Sequence, residues 1–247
     1  MQKATSRSNT YRLGIYGAIA TIIGIILSGP LSMVVVALIR PQPPWENVRL
    51  FTENYHPIQA MPYYAGFFLV IGSATMVAAI YHIAEEGQKA QALLALIFTA
   101  VFATLIFFNY INQTTFIPVL VKSYRPEYEP FIAALSMDNP TSLAWAIELW
   151  GYGFLGLATW LVAPVFHGNK LERWTAILFI INGVVSIIAA ILTAADLGWV
   201  LTQPGLISYI AWNILVLVMC ILVVLALRHR QKELASATEQ PTLAVAV

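Results

Sequence analysis

Glu148 stands inside an apolar stretch of this sequence, residues 142–166, and is the residue best placed to do chemistry. Removing a carboxylate from water is costly unless it is protonated, paired or hydrogen-bonded, so an acid within a membrane span marks a candidate functional site. Asp196 closes another apolar stretch. The two acids could form a titrating pair, one protonated by burial and one ionised, as acid–base catalysis requires. Asn109, Asn112 and Gln113 follow one another at i, i+3 and i+4, on one helical face, and Asn213 adds a further amide. Such amides either orient a ligand or join helices across an interface, and both readings stay open at this level. A dry Glu148 is expected to be protonated or held by donors such as Asn112, Gln113 or Asn213. Tyr152 and Trp145 offer stacking surface beside it. Tyr63, Tyr64, Tyr110, Trp150, Trp199, Tyr209 and Trp212 fall at a similar depth, where an interfacial aromatic belt is the alternative explanation.

Six apolar stretches must position these residues: 11–39, 59–82, 90–121, 142–166, 174–197 and 204–227. At about 1.5 Å per residue each is long enough to cross a hydrocarbon core of about 30 Å as a helix. Only 10% of residues are charged, against about 25% in soluble domains, and mean hydropathy is +0.75. The expected fold is therefore all-α, a polytopic bundle of six transmembrane helices. Residues 1–10 read as a short N-terminal segment, 11–228 as the membrane domain and 229–247 as a disordered tail. The first apolar run is too long for the core of a cleaved signal and no A-x-A site follows it, so a retained signal-anchor is expected.

Counting through six crossings puts nine Lys and Arg on one side (Lys3, Arg7, Arg12, Lys89, Lys170, Arg173, Arg228, Arg230 and Lys232) and four on the other (Arg40, Arg49, Lys122 and Arg125). Positive charge favours the cytoplasm, so both termini are expected there and the longer loops, 41–58 and 122–141, outside. On that count Glu148, Asp196, Asn213 and the amides around Asn112 all lie in the outer half. The apolar patch 131–137 is expected to lie along the outer interface. In the first span Gly14, Gly17, Thr21, Gly24 and Ser28 form one seam of small residues for close helix packing, and Pro30 and Pro118 are expected to kink or end their helices.

Several chemistries are excluded. Gly151-Tyr-Gly153-Phe-Leu-Gly156 matches a dinucleotide fingerprint by letter only, because it lies mid-span and follows no strand. There is no zinc, hydrolase or phosphate-loop signature, and no cofactor or metal is expected. Glu85-Glu86 reads as a solvated link. His82, His167 and His229 lie at one interface beside charged loop residues, a poor setting for haem ligands, and His56 is alone in its loop. The single cysteine, Cys220, excludes an internal disulfide. A formal charge of +1 with no basic stripe argues against nucleic acid.

The string ELWGYGFLGLATWLVAP from Glu148 to Pro164, together with the six spans and the proline-bearing loop at 41–58, resembles bacterial six-helix membrane proteins grouped as a domain of unknown function. The resemblance covers roughly residues 11–228. It implies a bacterial inner-membrane protein and carries over no activity or site residues. The preferred functional reading is a small or lipidic ligand bound in an outward-facing pocket. Glu148 would supply charge or a proton, Asn109, Asn112, Gln113, Asn213 and Asp196 would orient the ligand, and Tyr152 and Trp145 would stack on it. Two alternatives stay open: an acid–base enzyme using Glu148 and Asp196, and a structural subunit whose polar residues only join helices. Membrane lipids are the expected surroundings, with a homo-oligomer or a membrane complex left open.

Overall fold

The computed structural model describes residues 2–244, with side-chain environments for 5–237, so the first residue and the end of the expected tail, 245–247, lie outside the described residues. No strand occurs among them. Six helices are long and apolar enough to span a membrane: α1 (Thr5–Ile39), α3 (Pro57–Ile83), α4 (Glu86–Lys122), α6 (Leu143–Val165), α7 (Lys170–Ala195) and α8, which runs Gln203–Ala244. Two short helices, α2 (Val48–Asn54) and α5 (Glu129–Leu135), lie in the longer loops. Residues 229–237, expected at the start of the tail, continue α8, and Leu234 packs on the main core.

Short links force successive spans to run antiparallel, and each packs on its neighbour in the chain; α8 returns to α1 and closes the ring. Outside the ring, large apolar side chains such as Leu38, Phe68, Ile97, Trp160, Ile188 and Ile210 stay exposed along every span. A belt of that extent is tenable only against lipid. The chain is a multi-pass integral membrane protein.

Small residues set the helix spacing, as their periodicity predicts. A Cβ on Gly17 would lie 2.8 Å from the Gly72 carbonyl oxygen, and one on Gly24 would strike Leu69, so α1 and α3 meet backbone to backbone. Gly156 and Gly183 do the same for α6 and α7, while Gly151 admits Ile106 of α4. The glycine string on α6 is thus a packing device.

Neither proline ends its helix, and each sits in or beside a widened turn. Leu27–Leu31 and Asn112–Phe116 are π-helical, and both helices continue beyond them. Pro118 cannot donate to the Thr114 carbonyl four residues back; the Tyr64 hydroxyl donates to that oxygen instead, at 3.2 Å.

At the end of the ring bearing the long loops, α2 and α5 cap the bundle. Val48, Phe51, Ile117, Leu120 and Ile132 form a second small core there. The patch expected along the interface is therefore partly turned inward: Ile132 is fully buried while Phe131 stays exposed.

Candidate functional site

The ring is not packed solid at its long-loop end. A cavity of about 330 Å³ lies there, bordered by residues from all six spans, and its lining is mostly apolar and aromatic. Phe102, its ring tilted against Tyr152 with centroids 5.3 Å apart, begins a buried apolar core that continues through Met76, Ile80, Phe179, Val223 and Leu227 toward the opposite end. The first turns of α8 form one wall, and among residues 203–214 only Gly205 is buried. Met33, Val185, Leu201 and Leu206 both border the cavity and carry exposed surface, so this side opens toward lipid.

Glu148 borders the cavity from α6 and is 7% exposed. Asn109 Nδ2 donates to its Oε2 at 2.8 Å, and the Tyr110 hydroxyl donates to its Oε1 at 3.0 Å. Consecutive residues on α4 thus straddle one carboxyl group. With its proton directed at Glu148, the Tyr110 oxygen accepts from the Tyr152 hydroxyl 3.3 Å away, giving a chain from Tyr152 through Tyr110 to Glu148. A Cβ on Gly66 would lie 2.3 Å from the Tyr110 ring, so a glycine on α3 makes the room for it. Replacing Tyr110 with phenylalanine removes one of the two donors to Glu148, and a loss of about 1–3 kcal/mol is expected in reversible denaturation in mixed micelles.

The other expected site residues divide. Tyr152, Trp145 and Asn213 border the cavity with Glu148, whereas Asn109, Asn112, Gln113 and Asp196 do not. The expected donors to Glu148 are corrected: Asn112 and Asn213 each donate to a carbonyl of their own helix, Phe108 and Tyr209, both at 2.8 Å. Gln113 pins the loop after α5 by donating to the Leu135 carbonyl at 2.6 Å and accepting from the Met137 amide at 3.2 Å. Trp145 donates its indole N–H to the Met137 carbonyl at 2.8 Å, so α4 and α6 jointly hold that loop over the cavity. The exposed Asp196 accepts from the Gly198 amide at 3.0 Å, starting the turn before α8. Its carboxylate is engaged as a cap outside the cavity lining.

No family model, curated protein or solved structure matches this chain.

Asp138, next to Met137, borders a second, shallower cleft of about 390 Å³ with Pro43, Trp45 and Pro140. Burial pushes its carboxyl up to about 6, although the Ser136 hydroxyl donates to it at 3.2 Å. Because the folded value lies above the ordinary one, the folded state binds more protons between about pH 4 and 6, and stability falls as pH rises through that window. Asp138 keeps some contact with solvent, which limits the effect to about 1–2 kcal/mol. Asp138→Asn should remove this slope, and unfolding measured from pH 4 to 8 checks it.

At the opposite end of the ring is an ion pair that the sequence analysis did not pick out. Arg230 of α8 donates from Nε and Nη2 to the two carboxylate oxygens of Glu172 on α7, both at 2.6 Å, and from Nη2 to the Val165 carbonyl at 2.8 Å. Among basic residues near span ends, nothing in the sequence set Arg230 apart from its solvated neighbours. The histidines at this end serve locally: His167 lies 3.5 Å from Glu85, and His229 lies 3.5 Å from Glu233. Among the described residues no three His, Cys, Asp or Glu side chains gather as metal ligands would.

Proposed function

We propose that this membrane protein binds a small or lipidic, largely apolar molecule in the cavity at its long-loop end, with Glu148 as the polar anchor. The observation that carries the reading is the cavity of about 330 Å³ bordered by a buried carboxylate and seven Tyr and Trp side chains. Pockets with a mostly apolar wall and a few convergent polar groups are the usual form of a ligand site. The charge bias supports an outward-facing cavity, and the resemblance to bacterial six-helix proteins supports an inner-membrane location. The role is one of transport, sensing or accessory function within that membrane. The closely packed, mostly apolar core below the cavity disfavours a simple channel.

An acid–base enzyme built on Glu148 and Asp196 is less well supported, because Asp196 is committed to a turn outside the lining. A purely structural subunit would leave no such cavity.

Native mass spectrometry with lipid analysis tests the reading on wild type, Glu148→Gln and Ala189→Trp, each checked for folding. Ala189 borders the cavity, and an indole there would fill much of it. The expected result is a co-purified molecule in wild type that is depleted in both variants. Equal stability of the three proteins with no molecule bound to any would favour the structural-subunit reading.

A further inference from the structure

We infer that the cavity takes an apolar organic cation, an ammonium group carried on a hydrophobic body. This rests on the ligand-binding reading above and narrows it to a class. The first observation is an uncompensated charge. Glu148 is buried, its two partners are neutral donors, and among the described residues no Lys, Arg or His borders the cavity. A carboxylate so placed is stabilised only by a proton or by a cation brought from outside. The second observation is the wall around it. Tyr63, Tyr110, Tyr152 and Trp212 border the cavity together. Tyr152 and Trp212 meet edge-on with centroids 4.8 Å apart, and Tyr63 and Tyr110 lie 5.7 Å apart.

These rings are held in place. The Trp212 indole donates to the Ser186 hydroxyl at 3.3 Å, and Tyr152 is tied to Tyr110. Aromatic faces around an anionic group are the arrangement that recognises ammonium ions, by cation–π attraction added to the charge. An anion would instead meet Glu148, with no basic group among the described lining residues to receive it. The exposed apolar side formed by Met33, Val185, Leu201 and Leu206 lets a hydrophobic cation enter from the bilayer, where such molecules concentrate.

Two matched probes test the class. Benzyltrimethylammonium and neopentylbenzene have the same shape and differ by a nitrogen in place of a carbon, hence by one positive charge. Their binding to the full-length protein in lipid nanodiscs is followed by calorimetry and tryptophan fluorescence. The expected result is tighter binding of the cation, with its preference reduced about tenfold or more in Glu148→Gln and also reduced in Trp212→Leu. The second variant keeps the test decisive if Glu148→Gln folds poorly. Equal binding of both probes, or a preference for the uncharged one, overturns the cation class and leaves the ligand-binding reading standing. No binding of either probe, with no co-purified molecule, overturns both. Titration in phosphatidylcholine discs against discs of an uncharged diacyl glycolipid, neither of which concentrates a cation at its surface, separates two sources of the ammonium. Weaker probe binding in phosphatidylcholine assigns the site to a lipid headgroup, and equal binding assigns it to a free amine.

Discussion

Arg230→Ala is expected to destabilise the protein by about 3–5 kcal/mol, because it strands the Glu172 carboxylate in a buried site. Side-chain exposure is 4% for Glu172 and 17% for Arg230, so little solvent screens the pair. The guanidinium meets both carboxylate oxygens, caps the Val165 carbonyl and lies 5.6 Å from the centre of the Phe166 ring. After its removal Glu172 would keep only the Gly168 amide, at 2.9 Å. Lysine should restore part of the loss, since it returns the charge without the fork that engages two oxygens. Removing both partners, as Glu172→Leu with Arg230→Leu, should cost less than either single change, because no charge is then left buried alone. Reversible unfolding in mixed micelles measures Arg230→Ala, Arg230→Lys, the double leucine variant and its two single changes. Additive losses in the double variant would rule out the pair as a coupled unit. It ties α8 to α7 and to the end of α6, at the opposite end of the ring from the first turns of α8 beside the cavity.

The next largest effect is expected at the crossing of α1 and α3. Alanine at Gly17 would bring its Cβ to 2.5 Å from the Met76 backbone nitrogen, and alanine at Gly72 would bring its own to 2.5 Å from the Thr21 nitrogen. Backbone atoms cannot swing aside as a side-chain end can, so the helices must part and lose their contact along the seam. Each change is expected to cost about 1–3 kcal/mol by overpacking. Together they should cost less than the sum, since the first already separates the helices. Thermal unfolding of the single and double variants checks this, and a loss below about 0.5 kcal/mol at Gly17 would show that the helices can slide apart freely. By contrast, alanine at Gly87 meets nothing within 4 Å and serves as the neutral control.

The architecture was legible because a bilayer imposes strict terms. A span must be long, apolar and hydrogen-bonded within itself, and those terms are written residue by residue along the chain. The six stretches at 11–39 through 204–227 each became a helix long enough to span, and the small-residue seam on α1 became a contact, because periodicity alone decides which face a helix offers. Glu148 was legible for the same reason, as an acid where the pattern calls for none.

Its partners were not. Asn109, Asn112 and Gln113 share one face in sequence terms, yet a difference of three residues sends Asn109 to Glu148, Asn112 to its own backbone and Gln113 to a loop. The choice depends on the rotation of α4 against α6, on the π-helical turn that starts at Asn112, and on the room Gly66 gives the Tyr110 ring. Asp196 looked equivalent to Glu148 but ended its helix one residue earlier and became a cap. Arg230 looked like tail charge until α8 was seen to run on past the membrane domain and meet Glu172. Span number, packing faces and the out-of-place acid were thus determined by the sequence alone, since local pattern and the demands of lipid suffice for them. Which residues surround that acid, where the ring leaves a cavity and how it is latched were decided only by the tertiary structure, because side-chain pairing depends on helix rotations and offsets that no single helix encodes.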